Sequence, residues 1–169
     1  MSHDPGRELV DVIDDAGNVI RTVSRREMRG QRLPHRCTYI LVFNSRGELF
    51  IHLRTPTKDV YPSHWDVCVG GVLVSGESFD QSARRECLEE IGVAVEPERL
   101  FHFPYADDRT IVQGMVYRVV HDGPFVLQAS EIVSGEFLPT AIVEDRIGRE
   151  QFCPDGLAVL ARYRLLQKS

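Results

Sequence analysis

The sequence predicts an α+β fold in which a mixed β-sheet is sandwiched between helices. Short apolar segments bounded by turn residues predict the strands, and segments that begin with capping residues predict a few helices between them. The 169 residues are 43% hydrophobic and 27% charged, which is typical of a globular domain with a sizeable core. We therefore expect a single domain spanning residues 1–169.

The N-terminal segment is predicted to form a β-hairpin followed by a short helix. Turn residues at 14–18 favour a hairpin over residues 8–23, an extension that covers one edge of the sheet or forms a dimer interface. Ser24 and Glu27 have capping-box spacing, which predicts a helix from Arg25. The next predicted elements are strands at 38–43 and 48–53 and a proline-containing loop at 55–63.

The remainder of the chain is predicted to contain one long helix, further strands and two C-terminal helices. Residues 64–74 have the apolar character of a strand but contain two glycines. Ser78 and Gln81 form a second capping pattern, so a helix should run to about Ile91 and end at Gly92. The last predicted elements are strands at 100–105, 111–120 and 136–138 and helices at 140–147 and 154–166.

Charge and composition exclude several classes of protein. The net charge is −5 and the basic residues form no long run, which argues against binding to duplex nucleic acid; the short pair Arg25-Arg26 is interpreted as part of a solvated face. The four cysteines form no CxxC pair, so a zinc site of ordinary spacing is not expected. No apolar run is long enough to span a membrane, and residues 1–7 lack the apolar core of a signal peptide. We therefore expect a cytoplasmic protein.

Residues 71–93 carry the most informative pattern in the chain. Gly71 is followed after five residues by Glu77, and after a further seven residues by the segment 85–93, which reads RECLEEIGV. Three glutamates follow Arg85 in this segment, at positions 86, 89 and 90. On a helix they fall within an arc of about 100°. Three neighbouring carboxylates repel one another, so this face requires cations. Mg²⁺ or Mn²⁺, which prefer oxygen ligands, are the expected ones.

This pattern resembles the Nudix box, which has a glycine, a glutamate and an Arg-Glu-x-x-Glu-Glu-x-Gly segment at the same spacing. Only Cys87 departs mildly, because an aliphatic residue is usual there. The resemblance implies a Mg²⁺-dependent hydrolase that cleaves a diphosphate linkage, with a nucleotide as the favoured substrate. It also implies roles for individual residues: Glu86, Glu89 and Glu90 as metal ligands, Glu86, Glu89 and Arg85 as catalytic residues, and Arg85 with Glu77 as an ion-pair scaffold.

Further candidate residues lie outside the long helix. Glu131 is a candidate general base or additional metal ligand, and Glu136 is the second choice for that role. Gly70 and Gly71 would let the backbone approach phosphates without a side chain in the way. The other candidates for substrate binding are Trp65, which could stack on a base or pack in the core, and Arg54 and Lys58, which could meet phosphates or be solvated.

Two alternative functions stay open. The order of His35-Arg36, Phe43-Asn44, a proline-containing loop and Trp65 is similar to the isopentenyl-diphosphate isomerase branch of the superfamily. Those isomerases carry a reactive cysteine where this chain has Gly70, but Cys68 lies two residues earlier, on the same face of a strand. The second alternative is a nucleotide-binding module without turnover. The expected partner is a small-molecule nucleotide or other diphosphate, with neither a membrane nor duplex nucleic acid involved, and a homodimer is also considered.

Overall fold

The computed structural model describes residues 3–169, in which a two-stranded hairpin and a six-stranded mixed sheet are flanked by helices. The strands are β1 (Leu9–Ile13), β2 (Val19–Ser24), β3 (His35–Phe43), β4 (Leu49–Arg54), β5 (Trp65–Asp66), β6 (Glu98–Ala106), β7 (Ile111–Val120) and β8 (Ile132–Leu138). The helices are α1 (Arg25–Gly30), α2 (Phe79–Ile91), α3 (Thr140–Ile147) and α4 (Pro154–Gln167), and a 3₁₀ turn spans Pro5–Arg7.

The central sheet has the strand order β5-β4-β3-β7-β6, with β8 also paired to β4. Strands β3 and β7 run parallel, whereas the other neighbouring pairs are antiparallel. The sheet is therefore mixed, and the predicted α+β class is confirmed. None of the helices described between residues 3 and 169 is long and apolar enough to cross a membrane.

The sheet buries both of its faces, as the side chains of β3 demonstrate. Tyr39 and Leu41 belong to a core cluster that includes residues of the hairpin and of α4, whereas Ile40 and Val42 belong to a second cluster that includes residues of α2. Because successive side chains in a strand point to opposite faces, this division places the hairpin and α4 on one side of the sheet and α2 on the other.

Residues 64–74 differ from the predicted strand. Only Trp65–Asp66 form a strand, and single bridges join Val69 to Ile40 and Val72 to Cys37. Gly70 interrupts the ladder because its φ of +135° is not a strand conformation. Residues other than glycine rarely adopt this φ. The apolar character of the segment reflects burial of Val67, Cys68, Val69, Val72 and Leu73 in a loop.

Two strands begin at least three residues earlier than predicted. Strand β3 begins at His35, three residues before the predicted start, and β8 begins at Ile132, four residues early. The first part of β8 is largely exposed, so its sequence lacks the alternating apolar pattern by which a strand is recognised.

Candidate active site

Helix α2 carries the acidic cluster and is fixed at both ends by local interactions. Ser78 and Gln81 form the complete capping box at its start, and Gly92 ends it in the left-handed conformation, with φ of +71°. Ala83, Cys87 and Ile91 are fully buried against the sheet. This packing fixes the rotation of the helix, so the glutamates at 86 and 90 lie beside the core and not in bulk solvent.

A cavity of about 1040 Å³ lies beside this helix. One wall consists of Gly70, Gly71 and the α2 residues Arg85, Glu86, Glu89 and Glu90. A second group of lining residues, called the facing wall below, comes from the N-terminal segment, helix α1 and the loop after β4, and Glu131 also lines the cavity. The structure therefore brings the predicted metal ligands, Arg85, both glycines and Glu131 to one cavity.

The three carboxylates of α2 lie in different environments. Glu86 and Glu90 are buried, whereas the Glu89 side chain is 48% exposed. Burial raises the pKa of Glu86 to about 7, with repulsion from Glu89 adding to the effect and Arg85 opposing it. Burial and the neighbouring Glu86 raise the pKa of Glu90 well above its usual range. A bound cation stabilises the ionised form of two such carboxyl groups. Glu86 and Glu90 are therefore suited to a metal site.

Arg85 connects the acidic residues with one another. Its Nε and Nη2 donate to the two carboxylate oxygens of Glu77 at 2.7 and 3.0 Å. Its Nη1 donates to Glu86 at 3.0 Å and to Glu89 at 3.1 Å. Glu77 also accepts a hydrogen bond from the backbone N–H of Val74, at 2.9 Å, which ties the glycine-containing loop to the helix.

The two glycines lie directly against the carboxylates. The N–H of Gly70 donates to Glu90 at 3.3 Å. A Cβ atom at Gly71 would lie 2.8 Å from Oε1 of Glu86, and one at Gly70 would lie 2.2 Å from the carbonyl oxygen of Thr38. Side chains at these positions would displace Glu86 or the loop itself, so glycine is required for this arrangement.

Glu131 shares the cavity with Lys58, to which it is ion-paired. The Lys58 ammonium also lowers the pKa of both Glu86 and Glu90, which shows that its charge lies near them. Glu136, the second choice for a base, instead forms an ion pair with Arg146 at 3.1 Å and does not line the cavity. Position therefore favours Glu131 over Glu136 as the general base or additional metal ligand.

Trp65 and Arg54, the other two candidates for substrate binding, do not line the cavity that contains the carboxylates. The guanidinium carbon of Arg146 lies 4.3 Å from the centre of the Trp65 ring, and the indole packs against the core. Arg54 lines a smaller adjoining cavity of about 60 Å³. Its guanidinium donates to the carbonyls of Val60 at 2.9 Å and Tyr61 at 3.3 Å, and these are structural contacts with the loop after β4.

Cys68, the residue on which the isomerase alternative depends, is buried at the smaller cavity. Burial and the neighbouring Asp66 carboxylate raise the pKa of its thiol well above the usual range. The thiolate form that reactive cysteines use is therefore disfavoured.

The sequence did not identify the facing wall. Arg25 and Arg29 line the cavity, and each is only about one-sixth exposed (17% and 16% of the side chain). The interpretation of Arg25 as part of a solvated face is therefore wrong. The spacing of Arg25 and Arg29 by one helical turn was the available signal, but it does not indicate what the helix packs against.

Comparison with known proteins identifies the family. The family model of the NUDIX domain matches residues 33–155. This chain belongs to the Nudix family. It is 39% identical over 161 residues to "Uncharacterized Nudix hydrolase SCO1686" of Streptomyces coelicolor, covering 93% of this chain and 88% of the relative. It is 37% identical over 155 residues to "Uncharacterized Nudix hydrolase YfcD" of Escherichia coli K12, covering 91% and 85%.

Solved structures share the fold. The crystal structure of DR0079 from Deinococcus radiodurans superposes with a TM-score of 0.79 at 30% identity, covering 92% of this chain and 98% of that one. The NUDIX domain of Shewanella oneidensis NrtR, solved with ADP ribose, gives a TM-score of 0.63 at 17% identity, over 85% of this chain and 99% of that one. Its similarity shows the fold alone.

As a Nudix hydrolase, this enzyme acts on phosphoanhydride bonds, and enzymes of the family generally use divalent metal ions. The relatives described above carry the name hydrolase, so the isopentenyl-diphosphate isomerase branch is not confirmed.

Proposed function

We propose that this Nudix hydrolase cleaves the diphosphate linkage of a nucleotide, with Mg²⁺ held by Glu86, Glu89 and Glu90. The observation that carries the proposal is the placement of these carboxylates along one wall of a cavity of about 1040 Å³, beside two glycines that leave the backbone accessible. Mn²⁺ is an acceptable substitute because it prefers the same oxygen ligands.

The donor set fits a hard divalent cation. Among residues 3–169, no group of three or more potential ligands is already assembled at metal-binding distances. Mg²⁺ tolerates this because waters and substrate phosphates usually supply several of its ligands, so the three glutamates need not form a complete set before the substrate binds. When bound, the cation would neutralise phosphate oxygens and lower the pKa of a nearby water molecule.

The protein's own residues supply orientation and proton transfer. Arg85 holds Glu86 and Glu89 in place through its Nη1, and the glycine loop lets the phosphates approach. In the hydrolysis, water forms the new bond to phosphorus, the bridging P–O bond breaks, and a carboxylate accepts the proton of the water. Glu89, at the exposed rim, is our first candidate for that base, and Glu131 is the second.

A nucleotide is favoured as the substrate for two reasons. The cavity volume of about 1040 Å³ exceeds what a bare diphosphate requires and suits a ligand of nucleotide size. The structurally similar NrtR domain was solved with ADP ribose.

Three further expectations from the sequence stay predictions. They are a single domain over residues 1–169, a cytoplasmic location and homodimer formation.

A substrate panel tests the proposal. Release of phosphate or of a nucleoside monophosphate is measured from nucleoside di- and triphosphates, dinucleotides, sugar nucleotides and isopentenyl diphosphate, with Mg²⁺ or with EDTA. We expect Mg²⁺-dependent release for the wild type, its loss in Glu89→Gln and Glu90→Gln, and no change in Glu96→Gln, whose side chain is 72% exposed outside the cavity. Isomerisation that is abolished by Cys68→Ala would overturn the proposal, as would nucleotide binding without turnover.

A further inference from the structure

The wall that faces the carboxylates is built largely by a segment outside the family match. The NUDIX match begins at residue 33, whereas α1 spans Arg25–Gly30 and follows the N-terminal hairpin. Arg25 and Arg29, one helical turn apart, both line the catalytic cavity and the smaller cavity next to it. This part of the cavity therefore lies outside the residues that the NUDIX model matches.

Asp59 holds the two guanidinium groups side by side. Its Oδ2 accepts from Nε of Arg25 at 2.9 Å and from Nε of Arg29 at 3.1 Å. The Nη1 of Arg25 contacts Glu8 at 3.4 Å, and the Nη1 of Arg29 contacts Thr110 at 3.3 Å. Both arginine side chains are thus fixed before any ligand arrives.

Each guanidinium nevertheless keeps donors available. The hydrogen bonds found within residues 3–169 give the Nη2 of Arg25 and of Arg29 no protein acceptor. A pair of fixed guanidinium groups with free donors matches the oxygens of a phosphate, which accepts several charge-assisted hydrogen bonds at once.

The arginines and the carboxylates line the same cavity. Arg25, Arg29, Glu86 and Glu89 all contribute to its lining, and its volume of about 1040 Å³ is larger than a single phosphate requires. A chain of phosphates that contacts the metal-binding carboxylates through a cation at one end can therefore extend to the arginines at the other.

We infer that Arg25 and Arg29 form a second anion subsite in the cavity that Glu86, Glu89 and Glu90 also line, and that this subsite binds a terminal phosphate group of the substrate. This inference rests on the proposed function and narrows its substrate class to nucleoside di- or triphosphates. A terminal phosphate carries about two charges, whereas each phosphate in the diphosphate bridge of a dinucleotide or sugar nucleotide carries one, so the arginine pair favours the former.

Binding without metal tests the subsite independently of catalysis. Titration calorimetry in EDTA, with inorganic pyrophosphate as the ligand, removes the contribution of the cation site. We expect the wild type and Glu89→Gln to bind, and affinity to fall at least about tenfold in Arg25→Gln and in Arg29→Gln. Arg21→Gln is the matched control, because Arg21 lies on β2, is 49% exposed and does not line the cavity.

Kinetics then test the substrate class. In Arg29→Gln we expect KM for the best nucleoside di- or triphosphate to rise at least about tenfold, with little change in kcat or in KM for sugar nucleotides. Arg29→Lys, which keeps the charge, should recover part of the loss, and melting temperatures show whether each variant is folded.

The outcomes separate the subsite from the proposed function. Pyrophosphate binding that is absent in the wild type, or equal in all variants including Arg29→Lys, would overturn the subsite even if hydrolysis is observed. Arginine-dependent binding without hydrolysis of any compound would support the subsite and contradict the proposed function.

Discussion

Arg85 and Glu77 form a two-pronged ion pair, with Nε and Nη2 of the arginine 2.7 and 3.0 Å from the two carboxylate oxygens. The third nitrogen of the same guanidinium contacts Glu86 and Glu89. One planar group thus connects Glu77, the first glutamate of the box, to two of the proposed metal ligands. Because Lys cannot reproduce this planar fork, the arrangement is specific to arginine.

Loss of this ion pair should damage both stability and turnover. In Glu77→Gln the arginine loses its charged partner, so we expect the free energy of unfolding to fall by about 2 kcal/mol, and kcat to fall at least about tenfold. Urea denaturation and steady-state kinetics measure the two effects. Arg84→Gln is the control, because its partner Glu96 is 72% exposed, and its loss should cost less than about 0.5 kcal/mol. Equal effects in both variants would contradict the scaffold role.

Gly71 should be required for metal binding more than for folding. In Gly71→Ala the added Cβ would lie 2.8 Å from Glu86 Oε1, which pushes that carboxylate from its position. We expect Mg²⁺ affinity, measured by titration calorimetry, to fall about tenfold or more. Gly30→Ala is the matched control, because nothing lies within 4 Å of a Cβ there. Unchanged Mg²⁺ affinity in Gly71→Ala would show that Glu86 is not a ligand.

The acidic helix was predictable because its signals are local. The capping box at Ser78, the glycine at 92 and the glutamates at 86, 89 and 90 each form a pattern with residues only a few positions away. The facing wall could not be predicted from local signals. Arg25 reaches the cavity only because α1 packs against a loop 34 residues away, at Asp59. The sequence could not decide whether Trp65 contacts a ligand or packs in the core, because aromatic character does not distinguish the two.

Arg54 should act as a positioning residue for the loop between β4 and β5. It bonds the carbonyls of Val60 and Tyr61, and it pairs with buried Asp66 at 3.5 Å. Tyr61 and Ser63 have φ of +49° and +59°, conformations that non-glycine residues maintain only when neighbouring contacts enforce them. Removal of Arg54 therefore releases the segment that presents Lys58 and Asp59 to the cavity.

For Arg54→Met we expect faster proteolysis and amide exchange within residues 55–63, and a loss of about 3 kcal/mol in unfolding free energy, because Asp66 stays buried without its partner. Arg118→Met is the control, since Arg118 pairs with Glu98, whose side chain is 58% exposed. A wild-type exchange rate in the loop of Arg54→Met would contradict the positioning role.

His52 should make the protein sensitive to acid. It is buried in β4 and its Nδ1 has no hydrogen-bond partner within residues 3–169. Burial, with help from the charges of Arg54 and Lys58, lowers the pKa of His52 from 6.5 to about 3. Between these two values the unfolded chain binds a proton that the folded protein does not, so this residue's contribution to stability is complete above pH 6.5 and declines as the pH falls.

A comparison of variants isolates the effect of His52, because other groups titrate in the same range with the opposite sign. Burial raises the pKa of Glu86 to about 7, so the folded protein gains stability from that residue as the pH falls. We therefore expect the unfolding free energy of His52→Phe, relative to wild type, to improve by about 2 kcal/mol between pH 7.5 and pH 5. The measurement is urea denaturation at both pH values, with His102→Phe, at an exposed position of β6, as the control. The same pH-dependent difference in both variants, or none in His52→Phe, would contradict the lowered pKa of His52.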